Sequence, residues 1–375
     1  MVIAALITSG NAQTYISQTI QHDGKTRAYE IYVPAIYDGT TAVPLIFNFH
    51  GGGGTIADQI AIADMSALAD TANFIAVYPQ ALPDPNDGRS TNWIHKDPST
   101  IDDVFFIDAL LDSIVSNYLI DLDRVYACGY SLGGEFTFEV GCRLNNRIAA
   151  IGVVARTMQT LTHDICSPVH PTGVMTILGT NDGISNYDGI YWQGIQFYIS
   201  ATEMHNFWAV QNNCDTIATT TNVDNINTSD GSRVERNTWS TASGCAYVEE
   251  LKVINGGHDW PGSFGNMDID ATQEIWQFVS RYDLNGLVNC ATTSTNENLN
   301  SQINYTAYPN PIGDQLTIEN NFLKTKNFRI FSTLGEVILS GKVSPDFHTI
   351  DLSDLPANIY ILEIENQVTK LIKLK

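Results

Sequence analysis

Short apolar runs alternate with stretches of helical period over most of the chain. AYEIYV at 28–33 and VPLIFNF at 43–49 predict strands, and the second runs straight into HGGGG at 50–54. Between 57 and 73 (ADQIAIADMSALADTAN) apolar residues recur at helical spacing, which predicts one helix, and FIAVYP follows as a short buried strand. DDVFFIDALLDSIVSNY, 102–118, predicts an amphipathic helix with two carboxylates at its N-terminus, where the helix dipole favours them. RVYACG then reads as a strand, and SLGGEFTFEVGCRL as a helix beginning at Ser131. RIAAIGVVA, GVMTILG and AYVEELKVI are three further strands, and DATQEIWQFVSRY, 270–282, is a closing helix with Asp270 as its N-cap.

Strands alternating with helices in this way predict an α/β unit with a mostly parallel, helix-covered sheet. The long insertion between 183 and 245 is expected to build a cap or pocket wall over the C-terminal edge of that sheet. After Cys290 the pattern stops: residues 291–303 hold almost no large apolar side chain and read as a linker. From 304 to 375, short strands separated by Gly, Pro and Asn turns predict a small antiparallel, all-β sandwich. The expected organisation is therefore a remnant of a leader at 1–12, a catalytic-sized unit at 13–290, the linker, and the sandwich at 304–375.

Charge sharpens this division. The chain of 375 residues carries a formal net charge of −22, yet residues 304–375 hold 7 Lys+Arg against 8 Asp+Glu, so nearly all the excess acid lies on the first unit. A surface that negative repels phosphate backbones and argues against a nucleic-acid partner. The opening MVIAALITSGNAQ reads as the end of a secretory leader, an apolar run followed by small residues with Gly10 and Ala12 at cleavage offsets. It lacks a basic region, which points to a start upstream of Met1; a buried first strand is the alternative, interrupted at once by Ser9, Gly10 and Asn11. No apolar run reaches the ~20 residues needed to span a bilayer. Six cysteines, at 128, 142, 166, 214, 245 and 290, show no zinc spacing. In an exported chain disulfides are expected. Cys214 and Cys245 flank a polar stretch that a bridge would tether, contributing roughly 3 kcal/mol by chain entropy. Cys142–Cys166 is a second candidate pair, and Cys128 reads equally well as a buried thiol.

One turn carries candidate chemistry. Gly129-Tyr130-Ser131-Leu132-Gly133 fits G-x-S-x-G between a strand and a helix, where a nucleophile elbow must lie; a plain glycine-rich turn is the alternative. A serine hydroxyl needs a base, and the base needs orienting. His258, in INGGHDWPG, follows the last strand in a Gly-Gly turn that can project it over the sheet edge, whereas His50 ends a strand inside the glycine loop and reads as structural. Asp182, three residues after Gly179, can aim a carboxylate at His258, with Asp188 as runner-up. HGGGG offers backbone N–H groups without side chains in the way, and with the N–H of Leu132 it can form an oxyanion hole. No Lys-Ser/Thr follows the glycines, which argues against a phosphate-binding loop.

Taken together, FNFHGGGGT, the 101–136 segment ending in CGYSLGGEF, GTNDGISNYDG and GGHDWPG resemble the secreted esterase family of polyhydroxybutyrate depolymerases, feruloyl esterases and acetyl xylan esterases, over roughly residues 25–285. The resemblance implies an α/β-hydrolase fold, Ser131, Asp182 and His258 as the triad, and Gly52 and Leu132 as oxyanion donors. This chain departs from the pattern in having four consecutive glycines, which leaves open which N–H faces the substrate. Residues 304–375, with YPNP, IFSTLGEVI, IDLSDLPANIYILEI and a basic KLIKLK end, resemble the C-terminal sorting domain of the type nine secretion system of Bacteroidetes. That resemblance implies passage through the outer membrane with the domain as an address label that is removed. A carbohydrate-binding sandwich is the alternative, but no tryptophan follows Trp276 to make a sugar platform.

The expected function is an extracellular serine carboxylic-ester hydrolase, a feruloyl or acetyl xylan esterase that needs no metal or organic cofactor. Its expected partners are the ester substrate on a polysaccharide or polyester and the secretion machinery. A polyester depolymerase is the alternative within the class, and a non-catalytic binding module on a hydrolase scaffold the alternative outside it. Trp93, Trp192 and Trp260 are candidate pocket aromatics that could equally pack in the core, with Trp260 favoured for the site because it lies two residues after His258.

Overall fold

A computed structural model describes residues 15–85, 90–95, 101–288, 290, 305–320, 324–332, 337–364 and 367–373. The expected leader at 1–12 and linker at 291–303 lie outside the described residues. The chain divides into two compact units, Met1–Thr293 and Ser294–Lys375.

Ten strands build the sheet of the first unit: β1 (Ile16–His22), β2 (Lys25–Tyr32), β3 (Val43–Phe49), β4 (Ile75–Pro79), β5 (Ile120–Tyr130), β6 (Ala150–Val154), β7 (Gly173–Gly179), then β10 (Thr219–Asn222), β11 (Arg233–Ser240) and β12 (Ala246–Ile254). A separate hairpin, β8 (Ile190–Trp192) with β9 (Ile195–Tyr198), lies between β7 and β10 in the chain. The sheet order is β1-β2-β4-β3-β5-β6-β7-β12-β11-β10. The six central strands from β4 to β12 pair in parallel, and the two strands at each edge are antiparallel.

Helices cover both faces, so the central strands are buried on both sides and read as continuous apolar runs. In β3, Leu45, Phe47 and Phe49 join one core with Phe106, Phe136 and Trp208. Ile46, between them, joins the other with Tyr78, Tyr126 and Trp276. The long helix α3 (Asp103–Val115) is capped by Asp102, whose side chain accepts from Val104 N at 3.1 Å. The second expected carboxylate has a different role: Asp103 is fully buried and pairs with Arg27 at 2.6 Å. The closing helix α7 (Ala271–Val279) starts at Asp270, which accepts from Gln273 N at 3.1 Å.

Two expectations need correction. The helix anticipated over 57–73 is two helices, α1 (Ile56–Ile62) and α2 (Ser66–Ala72). The Tyr78 hydroxyl enters the break, donating to Ala63 O at 2.7 Å and accepting from Met65 N at 3.1 Å. A buried phenol thus satisfies the groups that a helix end leaves unpaired. The insertion at 183–245 also does more than roof the sheet. Besides the hairpin and helix α6 (Ala201–Gln211), it contributes β10 and β11, which extend the sheet itself.

The second unit packs two antiparallel sheets around one core, as a sandwich. β13 (Tyr305–Tyr308), β14 (Gln315–Asn320) and β17 (Asp346–Asp351) form one sheet. β15 (Lys326–Ser332), β16 (Val337–Val343), β18 (Asn358–Ile364) and β19 (Gln367–Lys373) form the other. Leu316, Ile318 and Ile350 from the first meet Ile330, Leu362 and Leu371 from the second. Among the described residues no helix is long and apolar enough to cross a membrane.

Candidate active site

Three loops at the C-terminal ends of parallel strands meet over the middle of the first unit. The turn between β5 and helix α4 (Leu132–Arg143) holds Ser131 at φ 53°, ψ −120°, a conformation that side-chain-bearing residues rarely adopt. Close backbone approach explains the flanking glycines. A Cβ on Gly129 would stand 2.4 Å from Gly133 O, and one on Gly133 would stand 2.3 Å from Phe49 O. Ser131 N donates to Val154 O at 2.9 Å, which ties the turn to β6.

The loops after β7 and β12 lie against each other. Thr180 N donates to Val253 O and Asn181 N to Gly256 O, both at 2.9 Å. Gly179 permits this contact, since a Cβ there would fall 2.3 Å from Gly257 O. The result brings Asp182, His258 and Ser131 into one line. Asp182 Oδ2 lies 2.7 Å from His258 Nδ1, and His258 Nε2 lies 2.8 Å from Ser131 Oγ. The carboxylate's other oxygen accepts from Ile184 N at 2.8 Å and Ser185 N at 2.7 Å. Burial alone would raise the Asp182 pKa, but the hydrogen bonds from His258, Ser185 and Ile184 outweigh it and hold the group below the ordinary 3.8. An ionised Asp182 places the proton of the ring on Nδ1 and leaves Nε2 to accept from the serine hydroxyl. Asp188 is exposed, and its N–H donates to Asn186 Oδ1.

His50 anchors the glycine loop. Ala81 N donates to His50 Nε2 at 3.1 Å, so the ring's proton lies on Nδ1 and is donated to Gly51 O at 2.7 Å. Gly53 N donates to Thr91 O at 2.7 Å and Gly54 N to Gly51 O at 3.1 Å, so those two amides are already engaged. Gly52 faces Leu132, whose side chain a Cβ on Gly52 would touch at 2.4 Å. Gly52, Leu132, Ser131, His258, Asn92 and Arg156 contribute to the wall of a cavity of about 530 Å³.

The tryptophans expected in this pocket are elsewhere. Trp260 is 1% exposed and points into the core, where its Nε1 donates to Thr272 Oγ1 at 3.1 Å. Trp93 is also buried, stacked on Phe136, with its Nε1 donating to His50 O at 2.8 Å. Trp192 is exposed on the β8–β9 hairpin beside Phe197, and the cavity wall does not include it. Two contributors escaped the sequence reading. Tyr130, the variable residue before the serine, donates from its hydroxyl to His258 O at 2.7 Å. Arg156 had one signal, a cation directly after the apolar run GVVA.

The cysteine pairing agrees with expectation for Cys142–Cys166 and for the buried thiol of Cys128, and differs for Cys245. Bridges join Cys142 to Cys166 and Cys245 to Cys290, while Cys214 and Cys128 are buried thiols. Cys245 thus has a partner 45 residues ahead of it, not Cys214, whose Sγ faces Asn212 O at 3.8 Å. Burial pushes the Cys214 thiol up to about 11. Among the described residues, no group of three or more His, Cys, Asp or Glu side chains is placed to hold a metal ion.

Residues 306–374 match the family model of the secretion system C-terminal sorting domain. The chain is 27% identical over 282 residues to the bifunctional acetylxylan esterase/xylanase XynS20E of Neocallimastix patriciarum, covering 74% of this chain and 37% of that protein. The chain therefore spans little more than a third of that relative's length. It is 23% identical over 290 residues to feruloyl esterase D of Neurospora crassa, covering 74% of this chain and 88% of the relative. Among solved structures, an acetyl xylan esterase from Aspergillus awamori superposes with a TM-score of 0.50 at 13% identity, over 71% of this chain and 99% of the other. The first unit shares that α/β-hydrolase fold.

Proposed function

We propose that the first unit is a serine carboxylic-ester hydrolase acting on acetyl or feruloyl esters of plant cell-wall polysaccharide, and that the second unit directs its export. The observation that carries the reading is the unbroken line from Asp182 through His258 to Ser131, at 2.7 and 2.8 Å, ending on a serine in a strained backbone conformation. In this mechanism Ser131 Oγ attacks the ester carbonyl while His258 Nε2 takes its proton. Asp182 holds the ring in the tautomer that can do so and stabilises the imidazolium that forms. The negative oxygen of the tetrahedral intermediate is received by the N–H of Leu132 at the start of α4 and by that of Gly52, with the positive end of the helix adding to the field. His258 then gives its proton to the leaving alcohol, and a water activated by the same ring releases the acid.

Three polar side chains in the cavity wall, those of Arg156, Asn92 and Ser90, support a sugar ester over an aliphatic polyester. The match of 306–374 to a sorting domain supports delivery to the cell surface or beyond, by the type nine route that the sequence resembles. The test is Ser131→Ala assayed on p-nitrophenyl acetate, methyl ferulate, acetylated xylan and polyhydroxybutyrate film. A folded Ser131→Ala protein should lose turnover on every ester that the wild type hydrolyses. Retained turnover would overturn the reading, and preference for the polyester film would move the substrate class.

A further inference from the structure

The cavity that holds Ser131 and His258 also holds a charge that the proposed mechanism does not use. Arg156 lies two residues beyond β6, after Ala155 turns the chain at φ 55°. It is only 7% exposed, yet it contributes to the cavity wall. Gly134 makes room for it, since a Cβ on Gly134 would stand 3.3 Å from that of Arg156.

Its guanidinium is held on several sides. The Cζ sits 3.9 Å over the ring centroid of Tyr198. Nη2 lies 3.5 Å from Glu135 Oε2, and Glu135 stands one helical turn after the serine, its N–H donating to Ser131 O at 3.0 Å. The Tyr198 hydroxyl donates to the same carboxylate oxygen, and His95 Nε2 lies 3.5 Å from the other. Arg156 Nε, by contrast, is buried without a hydrogen-bond partner among the described residues. Burying a guanidinium–carboxylate pair carries a desolvation cost before the attraction is counted, and a buried donor left unpaired adds to it. An apolar pair would fill this wall at lower cost, so a charged group kept in the cavity wall fits a role in recognition.

We infer that Arg156 reads the substrate by donating a hydrogen bond to a neutral acceptor oxygen, a hydroxyl or ether oxygen of the sugar or of the acyl ring. The ligand is neutral because Glu135 already compensates the guanidinium and Asp182 adds a second carboxylate to the site. A carboxylate-bearing substrate would meet more negative charge than positive. The inference rests on the ester-hydrolase reading and names the feature by which that site selects its substrate. A site that hydrogen-bonds a substrate oxygen discriminates strongly against the analogue lacking it, because the protein group is then left unpaired.

The experiment uses the full chain and matched ester pairs: acetylated xylo-oligosaccharide against p-nitrophenyl acetate, and methyl ferulate against methyl cinnamate. For Arg156→Met, the ratio of kcat/KM between the oxygen-bearing and bare members should fall about 10- to 100-fold in at least one pair. Arg156→Lys keeps the charge beside Glu135 but not the planar fork, and should lower the same ratio. If both ratios stay at the wild-type value in both variants, the inference is overturned, whatever happens to the absolute rates. Isothermal titration of xylobiose and ferulic acid methyl ester into Ser131→Ala, with and without Arg156→Met, makes the comparison without turnover. A wild type that hydrolyses no ester would sink the hydrolase reading, while titration would still decide the role of Arg156.

Discussion

The hydroxyl of Tyr130 donates to the backbone carbonyl of His258 at 2.7 Å, so the residue before Ser131 pins the loop that carries the proposed base. The two rings also lie 5.1 Å apart between centroids. This contact sets where the imidazole stands relative to Ser131 Oγ, and it touches no reacting atom. Tyr130→Phe should lower kcat about 10-fold with KM nearly unchanged, and lower stability by about 1 kcal/mol. Steady-state kinetics on p-nitrophenyl acetate with a parallel thermal melt check both numbers. An unchanged kcat would show that the loop holds His258 without this bond.

The carboxylate that orients His258 is Asp182 by geometry. Asp182→Asn should reduce turnover by a factor on the order of 10³–10⁴, because the amide no longer enforces the tautomer that accepts the serine proton. Asp188→Asn, at an exposed position, should stay within about 2-fold of wild type. Turnover of both variants on one small ester settles the assignment, and the opposite ranking would transfer the role to Asp188.

Acid should loosen the glycine loop before it protonates the carboxylates. Burial lowers the pKa of His50 below 6.5, outweighing the hydrogen bond to Gly51 O and the field of Asp58. His205 is lowered as well, by burial first. For a group whose folded pKa is depressed, the unfolded chain takes up the proton first as pH falls. The stability linked to His50 is therefore fully present above 6.5 and lost progressively from 6.5 down towards the lower folded value. Each such histidine contributes a slope of at most about 1.4 kcal/mol per pH unit. His50→Gln should flatten the fall in melting temperature below pH 6.5, and an unaltered slope would show that His50 is not buried neutral.

Ending the chain just after Cys290 tests the independence of the two units. The truncated protein should keep its melting temperature within a few degrees and its kcat/KM on small esters, since the proposed triad is complete by His258. In the native host the same truncation should hold the enzyme inside the cell envelope. Cys290→Ser is the contrasting variant. It opens the bridge from Cys245, which closes a separation of 45 residues, and should cost about 2–4 kcal/mol of stability by denaturant melt. A loss on truncation as large as that from Cys290→Ser would show that the second unit also supports the first.

The order of the central strands and of the long helices beside them was legible in local pattern. Strand and helix periods are properties of neighbouring residues, and the parallel sheet follows from their alternation. The line of Ser131, Asp182 and His258 was legible because strand–loop junctions in such a sheet deliver their loops to one edge. Side-chain direction was not. Trp260 stands two residues from His258 yet turns into the core, because Thr272 on α7 offers its Nε1 an acceptor there. The break between α1 and α2 depends on Tyr78, thirteen residues beyond Met65, and the bridge of Cys245 on a cysteine far along the chain. Arg156 was visible only as a cation ending an apolar run; that it shares a cavity with Ser131 depends on Glu135, Tyr198 and the space left by Gly134. The sequence by itself determined the central strands and the long helices that alternate with them, since those depend on neighbours in the chain. Tertiary packing decided which side chains meet, because a contact between distant segments is chosen by the partners that the fold brings within reach.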